Sequence, residues 1–186
     1  MAATTYVVLL RGVNLGPHRR VSAADLRQAA ADAGLAGART HANSGNLVAV
    51  APERADDVAA RVSAALESLT GGSVPAVALT ASRLDAVVRA NPFPAAARDD
   101  PSHLQVHVGA ALVDGAGIAR LDLANRGREL FAVAEGVLFV HYVDGIGASR
   151  VTTAAVDGAA GTWTTARNWN TTTRLLTMAR ETAAAA

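Results

Sequence analysis

Apolar side chains fill Tyr6-Val7-Val8-Leu9-Leu10 without interruption, and a run this short and β-rich predicts a buried central strand. The loop Arg11 to Pro17 follows, and then a helix start. Ser22 is placed to cap the amide of Asp25, Asp25 to answer back, and Val21 to staple onto Leu26. Gly34 supplies the stop. Two short strands come next, near Ala38 to Ala42 and Asn46 to Val50, with Asn43-Ser44-Gly45 as hairpin turn chemistry between them. A second helix begins near Pro52 and Glu53, carries Val58, Val62, Leu66 and Leu69 at helical spacing, and closes at Gly71-Gly72. Val74 to Leu79 is a fourth strand. The order β-α-β-β-α-β is the ferredoxin-like plan.

After Thr80 the pattern restarts. Leu84, Val87 and Val88 form the core face of a helix that must stop at Asn91, ahead of Pro92. Pro92 to Pro101 reads as a proline-bearing linker. A strand over His103 to Val108, a helix over Asp114 to Leu123 and a hairpin around Glu135-Gly136 follow. A weak helix follows Gly147, and a strong last helix spans about Thr165 to Thr182, with Ala183 to Ala186 fraying. The expected fold is therefore α+β. It consists of two ferredoxin-like (βαββαβ) units, residues 1–80 and 81–186, with antiparallel sheets, helices packed on one face, and the second unit degenerate.

Composition removes chemistries from this frame. The 186 residues carry 17 basic and 16 acidic side chains, and every basic one is arginine. Without lysine there is no Walker-type phosphate loop, Schiff base or lysine general base. Without cysteine there is no disulfide, thiolate zinc site, iron–sulfur cluster or thiol nucleophile. No signal-type segment opens the chain, and no apolar run reaches the roughly 20 residues of a membrane span. Cytoplasm is the expected compartment. A net charge of +1 argues against broad nonspecific nucleic-acid binding, although a local arginine cluster can still hold one anion. The 44 alanines reflect compositional bias and say nothing of function.

Four segments stand out: Leu10-Arg11-Gly12-Val13-Asn14-Leu15-Gly16, Asn43-Ser44-Gly45-Asn46, Asn91-Pro92-Phe93 and Thr165-Ala166-Arg167-Asn168-Trp169-Asn170-Thr171. Asp144-Gly145-Ile146-Gly147 fits beside them. Their order and spacing resemble the bacterial domain-of-unknown-function 1697 family across nearly the whole chain. Two departures are visible: Pro17 where Gly-Gly is common, and Asn43 where the family pattern has Gln. Proline at 17 removes one amide donor from the first loop. The resemblance implies an α+β fold and no established activity.

In a split βαβ unit the first and third strands are antiparallel neighbours, so Arg11, Gly12 and Asn14 should lie next to the turn of Asn43, Ser44, Gly45 and Asn46. A guanidinium among amides, a hydroxyl and glycine-exposed backbone suits a small anionic ligand, phosphate- or nucleotide-like. The same residues also serve turns, glycine by permitting positive φ and asparagine by capping. A second candidate is the start of the last helix, where Arg167, Asn168 and Asn170 would favour an anion. Were that helix to reach the first edge, Arg11 and Arg167 would form a joint clamp. Trp169 is expected as a core anchor.

Other chemistries find little support. His103 and His107 share a strand face but lie roughly 13 Å apart, too far for one metal with bonds of ~2 Å. His41 and His141 read as lone strand residues, and Asp99-Asp100 as a solvated turn. No metal or cofactor is expected, and no GxGxxG or Gly-x-Ser-x-Gly pattern is present. Leu47-Val48-Ala49-Val50 offers no aromatic ring, which disfavours recognition-motif RNA binding. Three readings stay open: an anion-binding protein, an enzyme of unidentified chemistry, and a structural or protein-interaction module.

Overall fold

The computed structural model describes residues 3–14, 20–42 and 45–185. The chain divides into two compact units, residues 1–85 with 174–186, and residues 86–173. Sheet neighbours are antiparallel throughout, and each unit contains one four-stranded sheet.

In the first unit β1 (Thr4–Leu10), α1 (Ala23–Asp32), β2 (Ala36–Thr40), β3 (Asn46–Ala51), α2 (Ala55–Thr70) and β4 (Ala76–Thr80) give the strand order β2-β3-β1-β4. β1 is central, with Val7 facing Val48 on one side and Leu79 on the other. Every residue of β1 from Thr5 to Leu10 is buried, as an uninterrupted apolar run requires. Tyr6, Val8, Leu10 and Leu47 pack with the inward stripes of α1 and α2, chiefly Leu26, Val58, Val62 and Leu66. Each such side chain contributes roughly 1.5–3 kcal/mol by leaving water. Ser22 and Asp25 form the reciprocal capping box that the sequence pattern indicates. The Ser22 amide, donating to the carboxylate at 2.8 Å, and next the Ser22 hydroxyl also hold the Asp25 carboxyl below its ordinary range.

In the second unit β5 (Leu104–Gly109), α5 (Gly115–Ala124), β6 (Leu130–Ala134), β7 (Val137–His141), α6 (Thr153–Ala160) and β8 (Thr164–Asn168) take the order β6-β7-β5-β8. This is the order of the first sheet. Leu138, Val140 and Tyr142 bury against Val113, Ile118, Val156 and Ala160, so α5 and α6 cover one sheet face. The helices sit unusually close at Gly117, where hydrogen in place of a side chain leaves room for the Ala159 carbonyl. Asp114 caps α5 through Ala116 N and donates its own amide to Ala160 O at 2.9 Å. α3 (Ala81–Arg89), α4 (Pro94–Asp99) and α7 (Trp169–Ala185) complete the chain.

The last segment differs from expectation. Thr165 to Asn168 does not begin a helix; with Thr164 it forms β8, paired to β5 with Val106 opposite Arg167. Two β-branched threonines and the free edge of β5 outweigh local helix propensity here. The helix begins at Trp169 and continues through Ala185, with Asn168 Oδ1 accepting from Thr171 N at 2.9 Å. Pro92 to Pro101 is likewise not plain linker, since Pro94 at the first helical position opens α4. Among the described residues no helix is long and apolar enough to cross a membrane.

Candidate functional site

The exit of β1 and the start of β3 meet at one sheet edge, as antiparallel pairing of neighbours demands. Leu9 stands opposite Asn46, and Leu10 N donates to Gly45 O at 2.9 Å. Arg11 follows directly, half-buried, with its amide bonded to Pro75 O at 2.8 Å. Gly12 and Asn14 are left-handed, at φ 66° and 59°, and turn the chain away from the sheet. The Asn14 amide then bridges backbone on both sides: Nδ2 donates to Val21 O at 2.9 Å, and Oδ1 accepts from Val21 N at 3.0 Å. This double bond pins the loop to the start of α1.

Across the edge, Asn46 is fully buried and donates Nδ2 to His41 O at 3.0 Å. Gly45 has φ 67°, and a methyl group there would fall 2.7 Å from both Leu10 Cβ and Val13 Cγ2. Glycine is therefore required twice over, by dihedral and by space. Asn43 and Ser44 lie outside the described residues. The structure thus brings Arg11, Gly12, Asn14, Gly45 and Asn46 together at one edge of the first sheet.

Arg167, Asn168 and Asn170 belong to the second unit. Arg167 lies in β8 rather than on a helix, and donates Nη1 to Thr165 Oγ1 at 2.9 Å and Ala166 O at 2.7 Å. Burial disfavours its charge and draws its pKa down to about 10, so it remains cationic at neutral pH. Asn168 caps α7, and Asn170 is exposed.

Over residues 3–139 the sequence matches the family described as protein of unknown function, DUF1697. The chain belongs to the DUF1697 family. Its fold is similar to that of a solved structure titled as conserved bacterial protein SP0830 from Streptococcus pneumoniae. That likeness has a TM-score of 0.75 at 18% identity and covers 96% of this chain and 99% of the other. No curated protein matches the sequence.

The DUF1697 chain also assembles a polar group that the sequence pattern does not reveal. Asp100, at the end of α4, accepts from His141 Nε2 at 2.9 Å and pairs with His103 Nδ1 at 3.0 Å. These two imidazoles hold the Asp100 carboxyl below its usual range, His141 contributing most. The pairing of β5 with β7 sets Leu104 opposite His141 and so delivers His141 to Asp100, 41 residues away in sequence. Read singly, the three look like a solvated turn and isolated strand residues. Only the strand register could have shown otherwise.

His107 was likewise inconspicuous. It is 8% exposed in the middle of β5, with Nδ1 3.4 Å from Thr164 Oγ1 and, among the described residues, no hydrogen-bond partner at Nε2. Burial pushes its pKa down to about 4, against the pull of Asp157, so the ring is neutral at pH 7.

Proposed function

We propose that this DUF1697 protein binds a small anionic ligand, phosphate- or nucleotide-like, at the edge of Arg11, Gly12, Asn14 and the turn ending at Gly45 and Asn46. The observation that carries the reading is a concentration of backbone strain beside a fixed cation. Among the described residues three non-glycines have positive φ, and two of them, Asn14 and Ala42, flank this edge. An alanine at φ 52° costs about 1 kcal/mol relative to ordinary backbone. Strain of this kind persists where surrounding structure over-determines it, and it clusters at ligand clamps. Arg11 follows β1 directly at this edge and carries a planar donor fork of the kind suited to phosphate or carboxylate. Asn14 and Asn46 do not contact the ligand through their side-chain amides in this reading; they hold the loops in place.

Thermal-shift measurements against inorganic phosphate, nucleotides and carboxylates test the site, because a native-state ligand raises Tm. Arg11→Ala should abolish the shift given by the best phosphate-bearing compound without a large loss of stability. An unchanged ligand shift in the variant, or a variant that fails to fold, overturns the assignment. A second reading, a structural or interaction module, draws on the engagement of both Asn14 and Asn46 with backbone. It predicts no stabilising compound in the panel. Under that reading the asparagines alone explain the motif.

A further inference from the structure

A cavity of about 200 Å³ lies in the second unit between residues 125–129 and 142–150, remote in sequence from the edge described above. Two cross-links tie its walls together. Arg128 pairs with Asp144 at 2.8 Å, and Ser149 Oγ donates to Glu129. Asn125 Nδ2 adds a second donor to Glu129 at 3.0 Å, while Asn125 Oδ1 and Ser149 Oγ themselves accept backbone amides from Gly127 and Val151. The donors around Glu129 keep its carboxyl below the ordinary range, so it stays an acceptor. Tyr142, 6% exposed, supplies an apolar wall. Asp144 and Gly145, which open the Asp144-Gly145-Ile146-Gly147 stretch that is distinctive in sequence and unexplained by the first edge, line this cavity.

Charge decides what the cavity would take. Three arginines and two carboxylates line it, and the Arg128–Asp144 pair neutralises one of each. Arg126 and Arg150 have no hydrogen bond or ion pair among the described residues, which leaves two guanidiniums and the Glu129 carboxylate. Paired guanidiniums match the oxygens of a phosphate. An ionised carboxylate accepts only; each Glu129 oxygen already takes one donor, and the acceptor capacity left over suits hydroxyls, which a bare anion does not bring. The volume is well below that of a typical drug-sized pocket.

We propose that this cavity binds a small phosphorylated polyol, its phosphate on Arg126 and Arg150 and its hydroxyls on Glu129. The site is separate from the Arg11 edge and does not depend on it. Titration of ribose 5-phosphate into the 15N-labelled full chain should move the amides of Gly127, Gly145 and Ser149 saturably. Exposed and unpartnered, Arg126 and Arg150 are dispensable for folding, and Arg126→Ala with Arg150→Ala should weaken the affinity at least about tenfold. Glu129→Gln should weaken ribose 5-phosphate more than inorganic phosphate. Arg11→Ala should leave the titration unchanged, which separates this site from the first. The proposal is overturned if those amides do not move, if the double variant binds equally well, or if free ribose binds as tightly as its phosphate. Binding of glutamate there in place of ribose 5-phosphate would also overturn it.

Discussion

Gly117→Ala is expected to lower stability by about 3 kcal/mol, the scale of a severe overpacking change. On helix propensity alone the substitution should help, since alanine is better than glycine by about 1 kcal/mol inside a helix. Packing reverses the sign. A methyl at position 117 would collide with the Ala159 carbonyl oxygen, a backbone atom of α6 with no rotamer into which to retreat. To relieve the collision α5 must move away from α6. That movement opens the contacts of Ile118 with Val156 and Ala160 and lengthens the Asp114 N to Ala160 O bond of 2.9 Å. A urea midpoint for the variant within error of the parent protein would show that the two helices do not approach as described. Gly115→Ala, two residues away, is the control, because nothing lies within 4 Å of its added methyl.

Acid should destabilise the protein through His107 well before its carboxylates titrate. The imidazole has a pKa of about 4 when folded and 6.5 as its reference value, so between these limits the unfolded chain holds more protons. Stability consequently rises with pH across that window and is lost as pH falls through it. Linkage over this interval amounts to about 2.5 kcal/mol by pH 4.5. The physical cause is burial without a partner for the second ring nitrogen, which leaves an imidazolium proton nowhere to bond. His107→Leu places an apolar side chain beside its neighbour Leu138 on β7 and should shift stability at pH 7 by less than about 1.5 kcal/mol. Its stability should then fall less between pH 7 and pH 4.5, by about 2.5 kcal/mol relative to the parent. Equal acid sensitivity in both proteins, read from urea midpoints at the two pH values, would assign the loss to other groups. Asp100 and Glu129 belong to a different window. Their carboxyls are lowered, so their contribution is present above the ordinary carboxylate pKa and disappears only in stronger acid.

Much of the fold was legible because it is written in short-range chemistry. The apolar run of β1, the Ser22–Asp25 box of α1 and the spacing of Val58, Val62 and Leu66 in α2 each speak through neighbours within one or two turns. The β-α-β-β-α-β order then makes β1 and β3 adjacent, and so the meeting of Arg11 with Gly45 and Asn46 could be anticipated. What sequence reasoning misjudged was β8. Thr164 to Asn168 has no apolar alternation of its own and becomes a strand because β5 offers an open edge nearly 60 residues earlier. The functional meaning of individual side chains was similarly hidden. Asn14 and Asn46 read from sequence both as ligand donors and as turn caps, and only the tertiary structure shows their amides engaged by the backbone groups of Val21 and His41.

The sequence alone determined which segments are helix or strand over most of the chain. It also determined that arginine is the sole permanently cationic side chain from which a site can be built. Capping, periodicity and composition are local properties, so they survive without coordinates. Only the tertiary structure decided that Asp100 lies between His103 and His141, that His107 is sealed from water, and that residues 125–129 and 142–150 enclose a cavity. Those outcomes depend on register and desolvation, which arise when strands and loops distant in sequence are brought into contact.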